Sequence, residues 1–125
     1  MDTMEIGNAL VALCKQGKNI EALDRLFADN VVSVEAVPMP DGKQETSGLA
    51  AVRGKNEWWV ANHEIHSALV VGPWPHGDRF IVGFKYDVTN KPSGKRLSME
   101  EFALYYVRNG KIVREEFFYD EKSMQ

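Results

Sequence analysis

The sequence predicts an α+β domain, an antiparallel sheet with helices on one of its faces. Two observations carry this. Helical periodicity dominates the first half of the chain, whereas from His66 onward the pattern is that of strands joined by tight turns. The stretch Tyr105 to Asp120, YYVRNGKIVREEFFYD, also reads as a hairpin. Asn109-Gly110 suits a type I′ turn, which needs positive φ at both central residues, and the arms are rich in aromatic and β-branched residues. The resulting order, α-α-β-α-β-β-β-β, segregates helices from a late meander.

Residues 3 to 16 form the first expected helix. Thr3 is placed to cap it, Ile6, Leu10, Leu13 and Cys14 make its apolar stripe, and Gly17 ends it. A shorter helix is expected from Ile20 to Phe27 with Asn19 as cap, packed antiparallel to the first. Val31 to Val37 is β-branched enough for a strand, and 38 to 48, PMPDGKQETSG, reads as loop. Ser47 is placed to cap a third helix from Leu49 to His63. Its adjacent Trp58 and Trp59 project about 100° apart, so one of them falls near an edge of the buried face. Strands are then expected at 66–72, 79–89, 97–108 and 111–120, with turns at 73–78 and 90–94.

The 125 residues fit one domain, 1–125, with enough length for a core and a small cavity. A hydrophobic share of 44% and a charged share of 26% are those of a soluble globular protein. The formal net charge of −3 provides no basic excess for phosphates, which argues against nucleic acid as a partner. No apolar run is long enough to span a membrane, and the first residues lack the features of a signal peptide. Cys14 is the single cysteine, so no intrachain disulfide forms and a cytoplasmic location is expected.

The element order, the Trp58-Trp59 pair, the Gly77-Asp78 turn and the NGKIVREEFFYD tail together resemble the nuclear-transport-factor-2-like superfamily, and within it a SnoaL-like domain. The resemblance covers essentially the whole chain. It implies a curved sheet wrapped as a cone around the helices, an apolar pocket at the open end, and homodimers through the sheet. Its relatives include polyketide cyclases, ketosteroid isomerases, epoxide hydrolases and non-catalytic proteins, so it implies a fold more firmly than a reaction.

Candidate site residues come partly from that resemblance. The limonene epoxide hydrolase branch has a basic residue, a spacer and an aspartate on a central strand, and a second aspartate closing the last strand. Lys85-Tyr86-Asp87 and Asp120 fall in similar positions, with Lys where that branch has Arg. Asp87 and Asp120 are therefore the expected acid/base pair, since a carboxyl in an apolar cone has its pKa raised toward neutrality. The alternative for Lys85 and Asp87 is an ion pair on the solvated side of the strand. Lys85, Trp59, His66, Tyr106, Glu116 and Phe118 are the expected ligand-binding residues. Alternation groups Ile112, Arg114, Glu116, Phe118 and Asp120 on one face; Arg114 is assigned to a surface pair with Glu100 or Glu101, and Glu115 likewise to the sheet surface.

His63-Glu64-Ile65-His66 lacks the i, i+4 spacing of a helical zinc motif, so no metal is expected. The first helix has no tyrosine of the kind the ketosteroid isomerases place there. The expectation is a small-molecule-binding protein for an apolar cyclic or carbonyl compound. Its catalytic version is an isomerase, cyclase or hydrolase using carboxylates and no cofactor. The alternative is a non-catalytic binding or dimerisation module.

Overall fold

A computed structural model describes residues 1–120, so the last five positions of the expected domain lie outside the described residues. Helix α1 spans Thr3–Lys15 and α2 spans Asn19–Leu26. Asp2, not Thr3, caps α1. Its carboxylate accepts from the Glu5 amide at 2.8 Å, and the Asp2 amide donates in turn to Glu5 Oε1 at 3.1 Å. At the other end the Gly17 amide donates to the Cys14 carbonyl and the Lys18 amide to the Leu13 carbonyl, so the chain leaves the helix through a Schellman turn.

The strands are β1 (Phe27–Val34), β2 (Glu45–Ser47), β3 (His63–His76), β4 (Arg79–Asn90), β5 (Lys95–Arg108) and β6 (Lys111–Phe118); α3 (Leu49–Asn62) lies between β2 and β3. They form one open six-stranded sheet in the order β2-β1-β6-β5-β4-β3. Neighbours are antiparallel except β1 and β6, which run parallel and make the sheet mixed. Asn109 and Gly110 both have positive φ, 51° and 73°, as the hairpin turn between β5 and β6 requires.

Several boundaries differ from expectation. Strand β1 begins at Phe27, four residues early, because it follows α2 without a turn. The expected 38–48 loop contains β2, a short edge strand that pairs Ser47 with Val32. Gly48, not Ser47, precedes α3. Strand β3 starts at His63 and continues through Pro73 and Pro75 to His76. Both prolines are tolerated because β3 is a sheet edge, where a missing amide donor breaks no ladder.

The helices cover one face. Ile6, Leu10 and Leu13 of α1, Leu23 and Leu26 of α2, and Val52 of α3 pack with Val70, Phe80, Val82, Phe84, Tyr105 and Ile112 of the sheet. Burying each large apolar side chain contributes about 1.5–3 kcal/mol. The Phe80 and Tyr105 rings stack at 5.0 Å between centroids. No helix among the described residues is long and apolar enough to cross a membrane.

The helix α1 approaches β3 closely at Gly7. A Cβ built there would lie 3.0 Å from two carbons of the Pro73 ring and 3.4 Å from Phe80. Glycine is a poor helix former, so its place mid-helix is explained by this contact. Gly7→Val is expected to lower the unfolding free energy by about 1–3 kcal/mol through overpacking. Ala12→Val, at an exposed position of the same helix, should change it by less than about 1 kcal/mol. Urea denaturation of both variants checks the difference.

Candidate functional site

The inward phase of the sheet is set by β4, where Phe80, Val82, Phe84 and Val88 are buried. Pairing carries that phase across the sheet. Phe84 faces Glu101 and Phe80 faces Tyr105 on β5; Tyr105 faces Glu115 and Ala103 faces Phe117 on β6; Glu115 faces Ser33 on β1. Side chains at partnered positions project from the same face. The interior therefore receives two glutamates, Glu101 and Glu115, among aromatic rings. Glu35, two residues past Ser33, and Lys55, on the α3 face that also carries Val52 and Trp59, complete the group.

A hydrogen-bonded chain links most of them. The Ser33 hydroxyl donates to Glu115 Oε1 at 2.8 Å. Lys55 Nζ donates to Ser33 Oγ at 2.7 Å and to Glu35 Oε1 at 3.0 Å. The Tyr119 hydroxyl donates to Glu35 Oε2 at 3.0 Å. The Lys55 ammonium also lies 5.6 Å from the centre of the Phe117 ring. Ser33 is fully buried and Glu115 is 3% exposed. No hydrogen bond among the described residues reaches the Glu101 carboxyl.

That difference orders the two glutamates. Burial pushes the Glu101 carboxyl up to about 8, and the charges of Glu35 and Glu115 add to the rise, while Lys55 opposes it. Burial also raises Glu115, with help from Glu35, but the Ser33 hydrogen bond and Lys55 hold it to about 7. Near neutrality Glu101 thus keeps its proton and Glu115 is divided between its two forms. The same burial raises the Tyr105, Tyr86 and Tyr119 hydroxyls, which remain protonated. The Cys14 thiol is pushed up to about 12 by burial and then by Glu115, and is inert as a nucleophile at neutral pH.

Most of the residues expected to form the site lie elsewhere. Lys85 and Asp87 alternate with the buried positions of β4 and face outward. Asp87 accepts two bonds from Arg96, at 2.9 and 2.7 Å, which hold its carboxyl below the usual range. His66 bonds Thr89 Oγ1 at 2.7 Å on the exposed edge. Tyr106 donates to Glu116 at 2.9 Å on the outer face, and Arg114 reaches the other Glu116 oxygen at 3.3 Å. Phe118 is 55% exposed, and Asp120 lies exposed beyond the end of β6. Trp59 alone of the set borders the interior. It stacks on His63 at 4.3 Å and lies 5.8 Å from Tyr86.

Glu115 is a correction in the opposite direction, since it was assigned to the surface. The reason is one residue of irregularity. Val107 pairs with Ile112, but Tyr106 pairs with Arg114, so Val113 is a bulge that shifts the phase of β6. Ile112 and Glu115 both point inward, and Arg114 finds Glu116 and Glu45 on the outside.

Hollows among the described residues lie elsewhere on the surface. One, of about 440 Å³, is lined by Val34, Lys43, Gln44 and Glu45. The other, of about 550 Å³, lies on the outer sheet face between Trp74, Ile81, Phe102, Leu104 and Phe118. Neither contains the buried glutamates.

The chain belongs to the SnoaL-like domain family, whose sequence profile matches residues 1–119. It is similar to a candidate SnoaL-like polyketide cyclase from Mesorhizobium loti, with 43% identity, a TM-score of 0.90, and coverage of 95% of this chain and 100% of that one. A candidate isomerase from Bacillus subtilis shares 16% identity at a TM-score of 0.80, covering 98% of this chain and 92% of that one. An NTF2-like protein of unknown function from Burkholderia pseudomallei shares 17% identity at a TM-score of 0.75, covering 96% and 92%. These two carry the fold alone. No curated protein matches the chain.

The raised carboxyls make stability depend on pH. The folded protein keeps protons on Glu101 and Glu115 that the unfolded chain loses near the ordinary glutamate value of 4.5. In that window the unfolded state binds fewer protons, so stability is greatest below it and falls as pH rises toward about 8. At about 1.4 kcal/mol per pKa unit, the two shifts together correspond to several kcal/mol across that window. Glu101→Gln should flatten the fall, as read from urea denaturation at several pH values across that window.

Proposed function

We propose that this SnoaL-like chain binds a small, largely apolar carbonyl compound against the interior glutamates and moves a proton on it, as an isomerase-type enzyme does. The observation that carries this reading is Glu101, a half-buried carboxyl on the inward phase of β5 whose pKa is raised to about 8 and which no hydrogen bond among the described residues reaches. Such a group is a donor waiting for a ligand oxygen. Glu115, in its ionised fraction, accepts the proton from the carbon next to the carbonyl, while Glu101 donates to the carbonyl oxygen. Return of a proton to carbon reverses both transfers, so the step balances without an organic cofactor or a metal. Tyr105, Phe117 and Trp59 supply the apolar walls.

This moves the acid/base role from Asp87 and Asp120 to Glu101 and Glu115. Lys85, His66, Tyr106, Glu116 and Phe118 pass from ligand contacts to the outer face of the sheet. The second reading, a non-catalytic binding module, is favoured by the internal pairing of Ser33, Glu35, Lys55 and Glu115, which leaves only Glu101 unused. The single thiol, Cys14, buried on α1, fits the reducing cytoplasm, where we place the protein.

Exchange of the α-protons of cyclohexanone in heavy water, followed by proton NMR, tests the catalytic reading. The wild type should accelerate it, with a bell-shaped pH profile. The rate falls at low pH as Glu115 is protonated and at high pH as Glu101 loses its proton. Glu101→Gln should cost about 10²-fold or more with the fold intact. No acceleration by the wild type at any pH supports the non-catalytic reading.

We also propose that the outer sheet face joins a second copy of the chain. Leu69, Trp74, Phe102 and Phe118 are each at least 46% exposed there, and the apolar hollow lies among them. Arg114 and Glu116 beside it carry both signs, as a self-complementary two-fold contact requires. Light scattering should give a dimer mass for the wild type and a monomer mass for Phe102→Glu. A monomeric wild type at high micromolar concentration rejects the dimer.

A further inference from the structure

Glu35 occupies a distinctive place in the interior network. Both of its carboxylate oxygens are engaged, Oε1 by Lys55 at 3.0 Å and Oε2 by the Tyr119 hydroxyl at 3.0 Å. Its backbone is pinned as well. The Glu35 amide donates to the Gln44 carbonyl at 2.8 Å, and Gln44 Nε2 donates to the Glu35 carbonyl at 3.2 Å. The Lys55 and Glu35 side chains are each 19% exposed, so the pair stands where the buried interior meets solvent.

The charges around this pair are unbalanced. Among the described residues, Lys55 is the one cation that acts on Glu101 and Glu115. Three carboxyls, on Glu35, Glu101 and Glu115, share it, and the Tyr119 hydroxyl already donates to one of them. An anionic group entering here would meet carboxyls just past the end of β1 and on β5 and β6. Its natural partner, the Lys55 ammonium, is already held by Glu35 and Ser33. A neutral carbonyl compound meets no such cost, and its oxygen can take the unused Glu101 proton.

We propose that Glu35 is the charge selector of the site: by engaging Lys55 it makes the interior accept uncharged carbonyl compounds and reject their carboxylate-bearing analogues. The proposal rests on the reading of the interior as a ligand site. It extends that reading to the class of ligand and to a residue outside the proton-transferring pair. Glu35 is a specificity residue that acts through Lys55. Removing its charge while keeping its shape leaves the ammonium free to pair with an incoming anion.

Two probes of nearly equal size separate charge from bulk. These are 4-oxocyclohexanecarboxylate and its methyl ester, each titrated against labelled protein by NMR and each followed for α-proton exchange. The wild type should bind the ester more tightly than the acid by roughly tenfold or more, the scale of like-charge repulsion at a partly buried site. Glu35→Gln should shrink that preference by about tenfold or reverse it. Equal binding of the two probes by the wild type overturns the proposal without any variant having to fold. So does a folded Glu35→Gln whose preference is unchanged. An ester that binds without exchange removes the catalytic reading and leaves charge selection standing. Failure of both probes to perturb any interior resonance rejects the ligand site and the selector together.

Discussion

The parallel pairing of β1 with β6 is the constraint on which the interior depends. Every other neighbour in the sheet is antiparallel and joined through a turn or a short edge strand. Only β1 reaches its partner from the far end of the sequence, and its register sets Ser33 against Glu115. Among the described residues that contact gives the buried Glu115 carboxyl its hydroxyl donor, and Lys55, carried by α3, donates to the same Ser33 oxygen. Without it, a carboxyl 3% exposed would stand in an apolar interior with nothing to offset its desolvation. The geometry that closes the core is therefore also the geometry that makes an ionisable group tolerable there.

The electrostatics follow from unequal support. Glu115 is the more deeply buried of the two glutamates by surface exposure, yet Glu101 is raised further, because Lys55 acts on both whereas the Ser33 hydrogen bond stabilises the charged form of Glu115 alone. Two like groups in one apolar space are thus pushed to different protonation states at the same pH. That separation is what acid/base chemistry on a neutral molecule needs. The outer face shows the contrasting case. Asp87, clamped by Arg96 in solvent, is held in its charged form and has no proton to exchange near neutrality.

Much of the fold was legible in the sequence because its signals are local. The Asn109-Gly110 turn, the apolar stripe of α1 and the glycine that ends it all act within a few residues, and SnoaL-like membership was readable from them and the tail motif. The site was far less legible. Its residues come from β1, α3, β5 and β6, and no local pattern joins them. The Val113 bulge hid Glu115 by inverting the simple alternation of the last strand. Two signals were nonetheless present. Val31, Ser33 and Glu35 alternate on one side of β1 and its extension, and Lys55 interrupts the apolar face marked by Val52 and Trp59. A phase taken from the buried run of β4 would have placed Lys85 and Asp87 outside from the start.

The most direct measurement is a carbon-13 NMR titration of the glutamate carboxyls, with Glu101 assigned through Glu101→Gln. A resonance titrating near 8, absent in the variant, is what the desolvated Glu101 carboxyl beside Glu35 and Glu115 predicts. Titration of Glu101 near the ordinary glutamate value of 4.5 would contradict it, because the interior would then hold no proton to give at neutral pH.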